Sequence, residues 1–234
     1  MTLSRVAACE PLGPYVQVQL ERTFEPGDAG QFHMLRALAH EGLLARPLSA
    51  VASDAHGVTF LCQPRGQALA ALAQVGAEVE VLGPFGRGFD TTGAGESPLL
   101  VGGGFGAALL APLARRLPAA VLLAAFRDDE AARAADLVPA AERELALPPA
   151  NVLELLAPRL PGVSSVFAAG PDGLVRAVAA ACAASGVPCQ VALEAPMACG
   201  YGACYGCAVR LDGRLVRLCV EGPVVTGARL AGVA

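Results

Sequence analysis

The sequence predicts an N-terminal antiparallel β-barrel, a central α/β domain with a parallel sheet, and a small C-terminal module built around four cysteines. Three observations lead there. Short runs of alternating apolar residues separated by turn signals fill residues 6–93, strands and helices alternate from Ser97 onward, and Cys199, Cys204, Cys207 and Cys219 stand at C-x4-C-x2-C-x11-C. The first pattern suits a small barrel, the second a layered α/β sheet, the third a metal site. The corresponding divisions are 1–94, 95–195 and 196–234.

Taken in order, residues 15–20 alternate with period two, and residues 57–61 and 78–82 do the same. Pro26-Gly27-Asp28, Gly30, Gly57 and Gly83-Pro84 punctuate them as turns, and only residues 67–74 have helical character in this region. Beyond Ser97, residues 99–101 predict a buried strand, a glycine run turns the chain, and residues 107–117 predict a helix ending before Pro118. Residues 121–126, 165–168 and 190–193 predict further strands of the same sheet. Asp128 and Asp129 are placed to cap the next helix, and Asp172 to cap a helix over 173–185 that Gly186 stops. Pro148-Pro149 suits no regular element.

A net charge of −4 with 16% charged residues gives no basic footprint for nucleic acid and no polybasic membrane patch. Residues 97–114 are uncharged and near the length of a membrane span, but Gly102, Gly103, Gly104 and Gly106 interrupt them, which points to soluble core. The opening Met-Thr-Leu-Ser-Arg has no apolar signal region, so the expected location is cytoplasmic, with thiols reduced. Cys9, Cys62, Cys182 and Cys189 then read as small buried hydrophobes. His33, His40 and His56 are isolated, with no cysteine or carboxylate at ligand spacing. No G-x-S-x-G, H-E-x-x-H or P-loop occurs.

Three stretches carry candidate chemistry. The first three cysteines of the C-terminal module match plant-type [2Fe-2S] spacing, and Gly200, Gly202 and Gly206 let the chain wrap a cluster closely. A four-cysteine zinc site usually pairs two short knuckles, and a disulfide framework belongs to small secreted domains; both stay open as alternatives. Gly102, Gly103 and Gly104, between a strand and a helix, would let a backbone approach a pyrophosphate, or simply make a packing turn. In Arg46-Pro47-Leu48-Ser49 a guanidinium can fork onto phosphate and a hydroxyl can bond a ring nitrogen, although a surface loop has the same composition.

Together these residues resemble the ferredoxin-reductase superfamily, most closely its electron-transfer subunits of NAD-dependent dihydroorotate dehydrogenases. Gly30-Gln31-Phe32 with Arg46-Pro47-Leu48-Ser49 is similar to that family's flavin-binding segments, and Gly83-Pro84-Phe85-Gly86 to the close of its barrel. Ala169-Gly170-Pro171 resembles its late turn, residues 194–207 its cluster loop, and residues 217–224 its ending. The resemblance implies FAD bound by the Arg46-Pro47-Leu48-Ser49 segment, with Arg46 at the pyrophosphate and Ser49 at the flavin ring, and by backbone around Gly66 and Gln67 at further phosphate contacts. It further implies Gly102, Gly103 and Gly104 on the nucleotide side, the four cysteines on iron, and NAD as acceptor. The implied partner is an FMN-containing dihydroorotate dehydrogenase catalytic subunit, in a heterotetramer. Ala169 replaces the family's usual cysteine, Leu109 its proline, and residues 127–165 are short, all on the nicotinamide side. A reductase serving another oxidoreductase through a different carrier is therefore the competing reading.

Overall fold

The computed structural model describes residues 1–39 and 44–230. His40 lies outside the described residues. The first half contains β1 (Thr2–Leu12), β2 (Tyr15–Glu21), β3 (Phe32–Ala37), β4 (Arg46–Leu48), β5 (Ala50–Ser53), β6 (Gly57–Cys62), the short helix α1 (Gln67–Leu72) and β7 (Glu78–Phe85). These strands form one antiparallel sheet in the order β4-β3-β7-β1-β2-β6-β5. The sheet rolls because β1 serves both halves. Thr2–Arg5 pairs with β7 and Val6–Leu12 with β2, and a register shift between Val6 and Ala8 accompanies the change of partner. The edges β4 and β5 do not pair with each other among the described residues, so the barrel stays open. Val18, Leu20, Leu35, Phe60 and Val79 alternate inward to fill it.

The second half runs through β8 (Pro98–Gly103), α2 (Phe105–Ala108), α3 (Ala111–Arg116), β9 (Val121–Ala125), α4 (Asp129–Ala132), β10 (Glu142–Ala146), α5 (Val152–Leu156), β11 (Ser165–Ala169), α6 (Asp172–Ala184) and β12 (Cys189–Ala192). It continues into the hairpin β13 (Ala208–Leu211) and β14 (Arg214–Arg217), then α7 (Leu218–Glu221) and β15 (Val224–Thr226). The sheet order is β10-β9-β8-β11-β12-β15, parallel except for β15. Its strands alternate between two packed faces. Leu100, Leu122 and Phe167 share one apolar cluster with Leu110 and Leu113, whereas Leu99, Val101, Leu123 and Val166 share the other with Val175, Val178 and Cys182 of α6.

Several expectations need correction. The helix predicted over 107–117 is two helices, because Pro112 in the first turn of α3 supplies no N–H and cannot continue the preceding turn. Asp172 is not the cap of α6. Pro171 holds that position, and Asp172 lies in the first turn, where its carboxylate accepts a hydrogen bond from Arg176 Nε at 2.7 Å. Asp128 does cap, accepting from the Ala131 N–H at 2.7 Å. Cys62 and Cys182 are buried, but Cys9 and Cys189 are only half-buried, the latter because it begins β12 beside an open cavity of about 300 Å³. Among the described residues no helix is long and apolar enough to cross a membrane.

The segment carrying the four cysteines leaves the α/β sheet after β12 and comes back to it as β15, whose Val224 and Val225 pair with Ala192 and Val191. Between these points it packs against the barrel as well. Phe32 and Met34 of β3 share an apolar cluster with Cys207, Leu218 and Cys219. The cysteine lobe is thus wedged where barrel and sheet meet.

Candidate functional site

Two neighbouring cavities open between the barrel and the carboxyl ends of β8, β11 and β12, the end of a parallel sheet where ligands ordinarily bind. One, of about 250 Å³, has Gly30, Phe32, Pro47, Leu48 and Ser49 on its barrel side and Phe105, Leu109, Ala169, Gly170 and Met197 opposite. The other, of about 370 Å³, sets Gln63, Arg65 and Leu69 against Gly103, Gly104, Gly106 and Pro171. Leu48, Phe105 and Glu194 line both. The first is a largely apolar slot with one hydroxyl, which suits a flat aromatic ring; the second joins a guanidinium to a glycine turn, which suits phosphate.

The candidate residues separate accordingly. Pro47, Leu48 and Ser49 face the slot. Arg46 begins β4, but its guanidinium donates to the Leu44 carbonyl at 3.3 Å and lines neither cavity. Gly66 precedes α1 and Gln67 starts it; neither reaches a cavity wall, whereas Arg65 does. Sequence reasoning missed Arg65, and the available signal was a cation immediately before a helix-starting glycine. Gly103 and Gly104 line the second cavity. Gly102 does a different job, since a Cβ there would come within 2.6 Å of Ala107 Cβ; it lets β8 and α2 pack closely. Leu109 and Ala169, noted separately in the sequence, meet in the wall of the apolar slot.

The four thiols are all free and fall into two pairs. Cys207 and Cys219 are buried with their sulfurs 3.2 Å apart, the Cys219 N–H directed at Cys207 Sγ at 3.5 Å. Burial and then the neighbouring Cys207 thiol push Cys219 up to about 11. Cys199 and the exposed Cys204 form the second pair. Burial alone would raise Cys199, but N–H groups of Cys204, Tyr201 and Ala203, with the Cys204 thiol, bring it down to about 6. The Gly206 N–H points at Cys204 Sγ at 3.4 Å. Gly200 and Gly202 have φ of +79° and +93°, and side chains there would run into Met34 and Val220, respectively. Arg217 fastens the loop from outside, donating to the Gly202 carbonyl at 2.9 Å and lying over the Tyr205 ring at 5.0 Å.

Among the described residues, no three metal-binding side chains converge on one ion position. A single zinc ion needs such convergence. Two thiol pairs with backbone N–H groups turned toward sulfur instead fit a two-iron cluster, whose potential depends on such hydrogen bonds.

Comparison with known proteins agrees with this geometry. Residues 194–231 match the model of the iron-sulfur cluster binding domain of dihydroorotate dehydrogenase B. The electron-transfer subunit of dihydroorotate dehydrogenase B (NAD(+)) from Clostridium acetobutylicum is 30% identical over 213 residues, covering 86% of this chain and 85% of its own length. The chain belongs to the family of dihydroorotate dehydrogenase B electron-transfer subunits. The family member from Caldanaerobacter subterraneus subsp. tengcongensis is 33% identical over 208 residues, with 83% of each chain covered. Among solved structures, an NADH-dependent reduced ferredoxin-NADP oxidoreductase superposes with a TM-score of 0.80 at 20% identity, over 98% of this chain and 90% of that one. A ferredoxin reductase of carbazole 1,9a-dioxygenase gives 0.66 at 22% identity, over 79% and 65%. These two establish the ferredoxin-reductase fold for this member of the dihydroorotate dehydrogenase B family.

Proposed function

We propose that this chain is the electron-transfer subunit of an NAD-dependent dihydroorotate dehydrogenase, a cytoplasmic complex with an FMN-containing catalytic subunit arranged as a heterotetramer. One observation carries the proposal. Met197 lines the apolar slot, and the first cluster thiol, Cys199, follows two residues later, so one continuous loop borders both sites. FAD, when bound, couples two-electron nicotinamide chemistry to a one-electron cluster. The chain's own residues do the placing. Pro47, Leu48 and Ser49 form the wall for the ring, Arg65 and the Gly103-Gly104 turn supply positive charge and N–H groups for phosphate, and Cys199, Cys204, Cys207 and Cys219 hold iron. Arg46, Gly66 and Gln67 would reach a phosphate only through side-chain or backbone rearrangement, and Gly102 serves by packing.

The test is the visible spectrum of anaerobically purified protein, with iron and flavin contents, before and after one equivalent of NADH. Bleaching of flavin and cluster bands together is the expected result. A second reading, a reductase working with a carrier other than nicotinamide, is favoured by Leu109 and Ala169 meeting in the slot wall. Bleaching only with a strong chemical reductant would select it. Zinc without labile sulfide or flavin would overturn both.

A further inference from the structure

The stretch from Tyr201 to Gly206 is exposed except at Gly202. Gly202 is also where the two thiol pairs are joined. Its own N–H is directed at the Cys219 sulfur, and the N–H of the next residue, Ala203, at the Cys199 sulfur, beside those of Tyr201 and Cys204. The carbonyl of Gly202 and the N–H of Ala203 belong to one planar peptide unit and point in opposite directions. Whatever holds the oxygen therefore aims the hydrogen. Arg217 holds it, with Nη1 donating to the Gly202 oxygen at 2.9 Å. The same guanidinium lies 5.0 Å from the centre of the Tyr205 ring, and Glu221 fixes its near end, its Oε1 lying 3.2 Å from the Arg217 N and 3.6 Å from Nε. Tyr205 has a φ of +58°, a backbone conformation that needs support in a residue with a bulky side chain. One half-buried arginine thus steadies the chain on both sides of Cys204.

We infer that Arg217 sets the reduction potential of the iron-sulfur cluster by positioning the Gly202–Ala203 peptide, whose N–H is a donor to the Cys199 sulfur. The inference rests on the four-cysteine reading above. N–H groups aimed at thiolate sulfur stabilise the reduced, more negative form more than the oxidised one, so they raise the potential. A cationic donor on the carbonyl also polarises the peptide and strengthens its N–H. The charge of Arg217 is offset by Glu221, which leaves the aim of the peptide as the lever. Lysine can reach the carbonyl or the ring, but it lacks the planar fork that serves carbonyl, ring face and carboxylate together. Arg217 is a positioning residue, not a ligand, and acts through the peptide it grips.

The test is a redox titration of the purified holoprotein, followed by EPR of the reduced cluster, for the wild type, Arg217→Met, Arg217→Lys and Glu221→Gln. In Arg217→Met the equilibrium constant for one-electron reduction should fall roughly tenfold, which is about 59 mV, and Arg217→Lys should lie in between. Glu221→Gln removes a negative charge but keeps an acceptor for the Arg217 N–H, and its potential should stay close to that of the wild type. Independently, the iron–thiolate bands of the resonance Raman spectrum, which shift in D2O where N–H groups bond the sulfurs, should lose part of that shift in Arg217→Met. Wild type without iron and labile sulfide overturns the cluster reading itself. With the cluster present, an unchanged potential or an unchanged D2O shift in Arg217→Met overturns the positioning role alone. A Glu221→Gln potential raised as far as the Arg217→Met potential falls also overturns it, since charge would then be the lever. If Arg217→Met holds no cluster, Arg217→Lys decides, and a wild-type potential and D2O shift there overturn the inference.

Discussion

The cluster loop and the cavities beside it are built on opposite plans. Three of the four thiols lie between Cys199 and Cys207, and the fourth is brought in by one hairpin, β13–β14, so the loop's chemistry is local in sequence. The cavities draw on β4, on the segment before α1, on the β8–α2 turn, on the end of β11 and on the exit from β12. A site of the first kind depends on each ligand almost absolutely. A site of the second kind spreads its free energy over many walls, and each wall matters less.

Cys204→Ser is the sharpest way to break the comparison. A [2Fe-2S] cluster needs all four thiolates, so the variant should lose cluster absorbance and transfer to a one-electron acceptor completely. FAD should remain near one per chain, because Cys204 is exposed and lines neither cavity. Iron, sulfide and flavin analyses on one preparation give the answer. Loss of FAD together with iron would mean that the loop and cavities fold as a unit, tied by the Phe32, Met34, Cys207 and Cys219 contacts.

The same contrast explains what the sequence made legible. Cysteine spacing is read directly, and so are strands in which apolar residues alternate, as in β2, or run together between turn signals, as in β11. Edge strands are harder. In β10 three residues out of five are exposed and the run Glu-Arg-Glu carries charge, so nothing in its pattern demands a strand until β9 lies beside it. β15 is three residues long, and its pairing with β12 closes over thirty residues of intervening chain. Arg46 and Arg65 show the limit most clearly. Both precede a small or rigid residue in a loop-like setting, and only the approach of the Gly103-Gly104 turn distinguishes the one that faces the cavity.

That distinction yields a middle-sized effect. A charge-assisted hydrogen bond to phosphate is worth about 1.5–3 kcal/mol, so Arg65→Ala should weaken FAD binding roughly tenfold to a hundredfold. Arg46→Ala should change it by less, since its guanidinium is engaged with the Leu44 carbonyl. Fluorescence titration of deflavinated protein with FAD measures both. Equal losses would show that β4 and its guanidinium turn toward the ligand, and the reverse order would reassign the phosphate contact to Arg46. Iron content should stay constant in both variants.

The smallest effect concerns the barrel wall alone. His33, next to the cavity residue Phe32, is fully buried between Phe24 and Phe60, its Nε2 2.9 Å from the Glu25 carbonyl. Its Nδ1 has no partner among the described residues. In the neutral tautomer Nε2–H donates to that carbonyl and Nδ1 is an unprotonated edge against aromatic rings; protonation would put an unpaired N–H there. Burial therefore lowers the His33 pKa, and the Glu25 carbonyl opposes this only partly. In the unfolded chain the imidazole takes up its proton near about 6.5, while the folded protein still refuses it. Below that pH the unfolded state binds more protons, so stability falls as pH drops, by up to about 1.4 kcal/mol per pH unit until the folded pKa is reached, and is unaffected above it. Urea unfolding at a series of pH values should show this slope in the wild type and lose it in His33→Leu, whose lost Glu25 hydrogen bond only offsets the curve. Because β3 supplies Phe32 to the slot, flavin should be released before iron as pH falls. Simultaneous release would place the acid-sensitive element in the shared core of barrel and cluster loop instead.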